Sequence, residues 1–160
     1  IKILPFPFLA VSLILIGSAF AAHYVRWDPK LPHMLWWWIP ANLFLVPVTE
    51  EIFFRGFIQN QLSLFLRGFS SGKWVALVLS ALISGVLYAY TGSIIYVFLS
   101  TCASLGYGYV YLRTQRIESS ILLHFLVNFL QPFFCPLDDL NYFIHYKAST
   151  HYLKRRYHFY

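Results

Sequence analysis

Two acidic side chains stand side by side in an otherwise apolar stretch, Leu45-Val46-Pro47-Val48-Thr49-Glu50-Glu51-Ile52-Phe53-Phe54-Arg55-Gly56. Arg55 follows Glu51 by four residues, so on a helix the two share a face and form an ion pair. Glu50 projects about 100° away from Glu51 and gains no such neighbour. An unpaired carboxylate in an apolar setting readily takes up a proton, which is the task of a general base. A purely structural ion cluster is the plainer reading. It accounts for Glu51 and leaves Glu50 unexplained.

His124 and Asn128 form a second pair, in Leu122-Leu123-His124-Phe125-Leu126-Val127-Asn128. Their spacing also sets both on one helix face. Two donors aimed at one point can stabilise an oxyanion, and the same two residues can simply hold helices together. Other polar residues read more plainly. Tyr107, Tyr109 and Tyr111 make a stripe suited to packing or to an interface. Ser119 and Ser120 are placed to cap a helix. Asp138 and Asp139 follow Pro136 and are expected in solvent, and His145, His151 and His158 lack ligand spacing. Cys102 reads as a small buried hydrophobe, and it makes no zinc spacing with Cys135. No cofactor is expected. A catalytic zinc draws on about three protein ligands, and the two pairs offer one histidine, His124, beside the glutamates.

The elements that must carry these groups are written in the composition. Of 160 residues 59% are hydrophobic and 11% charged, against roughly a quarter charged in soluble domains. That deficit suits a surface facing lipid. The net charge is +6, concentrated in short connections and in Lys154-Arg155-Arg156, which suits anionic headgroups. A nucleic-acid partner would need those charges on a solvated domain, and none is evident. Trp36-Trp37-Trp38 resembles an interfacial belt.

Ile3 to Ala22 is long enough for a membrane helix, although Ala19-Phe20-Ala21 also resembles a signal-peptide cleavage site. Met34 to Leu66 is too long for one span, about 50 Å as a helix against a core of about 30 Å. Pro40 and Pro47 offer places to divide it into an interfacial segment and a helix beginning near Pro47. Further helices are expected over Trp74 to Tyr90, Ser93 to Leu112 and Ile117 to about Phe134. Ser100, Ser104 and Gly108 give one of them a close-packing face. The expected fold class is all-α, a polytopic membrane bundle of about five or six helical segments. It occupies residues 1–135, with a polar, basic tail over 136–160.

At these residues the chain resembles the CPBP family, the CAAX-protease and bacteriocin-processing group of intramembrane proteases. Glu50-Glu51-Ile-Phe-Phe-Arg55 matches its EExxxR motif and His124-Phe-Leu-Val-Asn128 its HxxxN motif. The stretch from Leu112 to His124 is similar to the family's approach to that histidine. The resemblance runs from about Val46 to Leu130. One motif departs: where the family has FxxxH, this chain has Ser84-Gly85-Val86-Leu87-Tyr88, with tyrosine for histidine. A phenol hydrogen-bonds well but is a weak base at neutral pH.

The resemblance implies an intramembrane endopeptidase in which Glu50 activates water and Glu51 and Arg55 fix the site. His124 and Asn128 would hold the oxyanion, and Tyr88 would position water or substrate. It implies a membrane-associated peptide or protein as substrate, and a multi-pass protein of a bacterial cell membrane. Two other readings stand beside it. Tyr88 favours a catalytically silent relative that binds or scaffolds membrane peptides. A proton relay through Glu50 and Glu51 would suit a transporter, but the chain lacks repeated halves.

Overall fold

The computed structural model describes residues 5–23, 25–27, 35–91, 93–130 and 134–136. The basic tail with Asp138, Asp139 and its three histidines lies outside the described residues, as do Gly92 and most of the connection from His23 to His33. Among the described residues the chain forms five helices, so the all-α bundle holds. Helix α1 is Pro5–Ala21, and α2 runs without a break over residues 35–65. Helix α3 is Gly72–Leu87, prolonged by a 3-10 turn, Tyr88–Thr91. Helix α4 is Ile94–Thr114 and α5 is Ile117–Leu130. A small antiparallel ribbon, β1 (Val25–Trp27) with β2 (Phe134–Pro136), pairs Arg26 with Cys135. The last helix is thus shorter than its apolar run. Its described span is Ile117–Leu130, and Phe134 belongs to β2.

Helix α2 departs from expectation in a second way, because neither proline divides it. Pro40 lies inside its first section, Leu35–Leu43. Pro47 lies inside a π-helical stretch, Phe44–Val48. Proline breaks an α-helix because its ring meets the carbonyl four residues back and its nitrogen donates nothing. The wider π turn relieves the first problem and lets the chain continue. After one α turn, Thr49–Glu51, a longer π stretch follows over Ile52–Gln59. Widening a turn frees carbonyls from their usual partners, and the Phe54 carbonyl accepts from Ser80 Oγ at 3.0 Å.

Helix α4 is the central element, packed against all four other helices. Ser93 caps its start by accepting from the Tyr96 N–H at 3.3 Å, and Gln115, at φ 54°, ends it in the left-handed conformation. Val11 of α1, Tyr107 and Val110 of α4 and Leu123 of α5 make the apolar core.

On α3 most large apolar side chains face outward and small ones inward. Helix α3 buries Gly72, Ala76, Ser80 and Ser84, one small residue per turn, and exposes Trp74, Val75, Val78, Leu82, Ile83 and Val86. Small residues inside and large apolar ones outside suit packing in hydrocarbon. Among the described residues two stretches are long and apolar enough to cross a membrane, Gly72–Tyr90 and Ile94–Thr114.

At Gly85 α3 lies close against α4. A Cβ there would overlap Thr101 Oγ1 and stand 3.1 Å from the Val97 carbonyl oxygen. Thr101 is itself tied to that carbonyl at 2.8 Å, so it cannot simply turn away. Gly85→Ala is therefore expected to force the helices apart at a cost of about 1–3 kcal/mol. Thermal unfolding in detergent checks this, and a wild-type melting temperature would refute it.

Candidate active site

The site is built where α2, α4 and α5 meet, with the end of α3 beside it. Glu51, Arg55 and Gln59 follow at four-residue intervals on the buried face of α2. Against them stand Ser104 and Gly108 of α4, also four apart. Arg55 Nη2 donates to the Ser104 carbonyl and hydroxyl oxygens, both at 2.7 Å. Gln59 Nε2 donates to the Gly108 carbonyl at 3.2 Å. Each rung joins residues 49 positions apart, so α2 and α4 run in the same direction here. Gly108 leaves room for the amide, since a Cβ would lie 2.8 Å from Gln59 Oε1.

Glu51 is sealed, with 0% exposure, and Arg55 has 1%. Arg55 Nε lies 3.0 Å from Glu51 Oε2 as a charge contact without an aligned N–H bond. The same oxygen accepts from Ser120 Oγ at 2.5 Å. The other, Oε1, meets His124 Nδ1 at 2.8 Å. An ionised carboxylate only accepts, so Nδ1 carries a hydrogen in this pairing. The His124 ring stacks on Tyr107, with centroids 4.4 Å apart and planes 15° apart. Tyr107 also lies 5.5 Å from the Arg55 guanidinium, within cation–π range.

Glu50 turns to a different neighbour, as adjacent helical positions must. It is partly exposed, and its Oε1 accepts from the Tyr88 hydroxyl at 2.5 Å. Tyr88 is braced edge-on by Tyr96, with centroids 5.5 Å apart. The residue at the family's histidine position therefore reaches the first glutamate.

Asn128 is buried on the same face of α5 as His124. Its Nδ2 donates to Asn42 Oδ1 of α2 at 3.4 Å. The two α5 residues share a face as their spacing indicates, yet the bonds they make run to different partners. His124 Nε2 and the second amide hydrogen of Asn128 are not used in these bonds.

Four participants escaped the sequence reading. Ser120 had the look of a cap, although it precedes His124 by one turn and so shares its face. Tyr107 looked like packing and Ser104 like a spacer. Asn42 was passed over, and its one signal is an amide within an apolar run. A metal does not suit the arrangement: both Glu51 oxygens are engaged, and a guanidinium occupies the place beside them. Among the described residues no three His, Cys, Asp or Glu side chains gather as a ligand set.

A family model described as "Type II CAAX prenyl endopeptidase Rce1-like" matches residues 31–130, a segment that contains every residue of this cluster. No curated protein and no solved structure matches the chain.

Proposed function

This chain belongs to the Rce1-like family of type II CAAX prenyl endopeptidases, and from that premise we propose that it is a multi-pass intramembrane endopeptidase that cleaves a membrane-associated peptide with a glutamate-activated water. The family is membrane-embedded and its activity is proteolytic. The division of labour between the two glutamates carries the mechanistic reading. Glu51 is locked among Arg55, Ser120 and His124, whereas Glu50 is partly exposed beside a single bonded tyrosine hydroxyl. Two carboxylates in contrasting environments take contrasting roles.

In this mechanism Glu50 removes a proton from water, and the hydroxide attacks the scissile carbonyl carbon. The C–N bond then breaks as Glu50 returns the proton to the leaving amine. Tyr88 keeps Glu50 oriented. Glu51 bonds His124 Nδ1 and orients the ring, and with both ring nitrogens protonated Nε2 offers a second N–H. That N–H and the second N–H of Asn128 hold the oxyanion.

The test is cleavage of an S-farnesylated peptide ending in a CAAX tetrapeptide, and of a membrane-peptide library, by purified protein, read by mass spectrometry. Release of a defined C-terminal fragment is expected. Intact peptides throughout would overturn the reading.

Tyr88 favours one alternative, a silent relative that binds such peptides. Tyr88→Phe removes the bond to Glu50 at a cost of about 1–3 kcal/mol, and turnover is expected to fall roughly fivefold to a hundredfold. Tyr88→His, which supplies a second base, is expected to raise turnover. An inactive wild type beside an active Tyr88→His would establish the silent reading instead.

A further inference from the structure

Asn42 belongs to none of the matched motifs, yet it is the residue that bonds Asn128. It sits at the end of the first section of α2, next to the π-helical stretch around Pro47. Glu50 lies eight residues further on, about two turns along the same helix. Its two amide atoms fare differently. Oδ1 accepts from Asn128 Nδ2 at 3.4 Å, and Nδ2 is buried with no hydrogen-bond partner. A primary amide presents nearly the same shape in two flipped orientations, with oxygen and nitrogen exchanged. In apolar surroundings a neighbouring acceptor decides which one is held, because the wrong flip would set acceptor against acceptor.

We propose that Asn42 is a positioning residue of the catalytic site: its side-chain oxygen fixes the orientation of the Asn128 amide and so aims the remaining Asn128 N–H at the oxyanion. The inference rests on the hydrolytic reading above. Without the Asn42 oxygen, the Asn128 amide is free to present its carbonyl where an oxyanion must form. An acceptor there would repel that charge. The unused Asn42 Nδ2 adds a second condition. If only the oxygen matters, a side chain of the same shape that keeps an oxygen there must serve in its place.

The experiment uses the full chain in detergent and the farnesylated CAAX peptide, with kcat, KM and melting temperature measured together. Asn42→Leu keeps the size and removes the oxygen. Its kcat is expected to fall about tenfold to a hundredfold, the scale of a misaligned catalytic group, with KM and melting temperature near wild type. Asn42→Asp keeps the oxygen and is expected to recover most of that loss. A wild-type kcat in Asn42→Leu overturns the proposal, as does an equal kcat loss in both variants or a loss of Asn42→Leu activity matched by a lowered melting temperature. Glu50→Gln in the same assay separates the two levels. If it is fully active, or if wild type cleaves nothing, the hydrolytic reading itself fails and this inference falls with it. If Glu50→Gln is dead and Asn42→Leu is normal, the role of Asn42 alone is refuted.

Discussion

Glu50→Gln yields a folded, membrane-inserted protein that no longer cleaves peptide. Glutamine matches glutamate in shape, and its amide oxygen can still accept from the Tyr88 hydroxyl that now meets Glu50 Oε1. What it lacks is basicity. General-base catalysis contributes about 10²–10⁴-fold, so the residual rate should lie at or below the limit of a mass-spectrometric assay. Because Glu50 is partly exposed and lies outside the Glu51–Arg55–His124 cluster, the melting temperature should barely move. Full activity in a pure preparation of this variant would end the mechanism.

Arg55→Met should do the opposite and act first on stability. The guanidinium holds the Ser104 carbonyl and hydroxyl and is the cation beside the sealed Glu51 carboxylate. Removing one partner of a buried pair strands the other charge, at a cost of about 3–5 kcal/mol. Removing both is far gentler, because two neutral side chains need no compensation. The double variant Glu51→Gln, Arg55→Met is therefore expected to melt above Arg55→Met alone. A double-variant cycle in detergent measures this coupling. An unshifted Arg55→Met, or strictly additive losses, would show that the pair does not stabilise the bundle.

The helices were legible because lipid leaves few options: apolar runs long enough to span must satisfy their own backbone. The acids and Arg55 were legible for the same reason, since charge in such a run is too costly to be incidental. Proline misled the reading of α2, because the rule that proline ends a helix assumes α geometry, and the π turn around Pro47 suspends it. The strand pair escaped because three residues are too few to show alternation. Ser120 and Asn42 escaped for a deeper reason. A helical serine or asparagine has several short-range partners available, and only the neighbouring helix decides which one it takes. The spacing of His124 and Asn128 gave their face correctly and said nothing of their partners, Glu51 and Asn42.

The spread of the cluster along the chain has a consequence for synthesis. Glu51 precedes Ser120 by 69 residues and His124 by 73, and Ser104 follows Arg55 by 49. At roughly 5–20 residues per second, a ribosome delivers His124 about 4–15 s after Glu51. Through that interval α2 stands without α4 or α5. The cation four residues away in its own helix is then the one cluster partner already made. Arg55 thus neutralises Glu51 in the nascent chain before the rest of the cluster exists. A chain lacking Arg55 should therefore accumulate in lower yield, and the protein that does fold should melt below wild type.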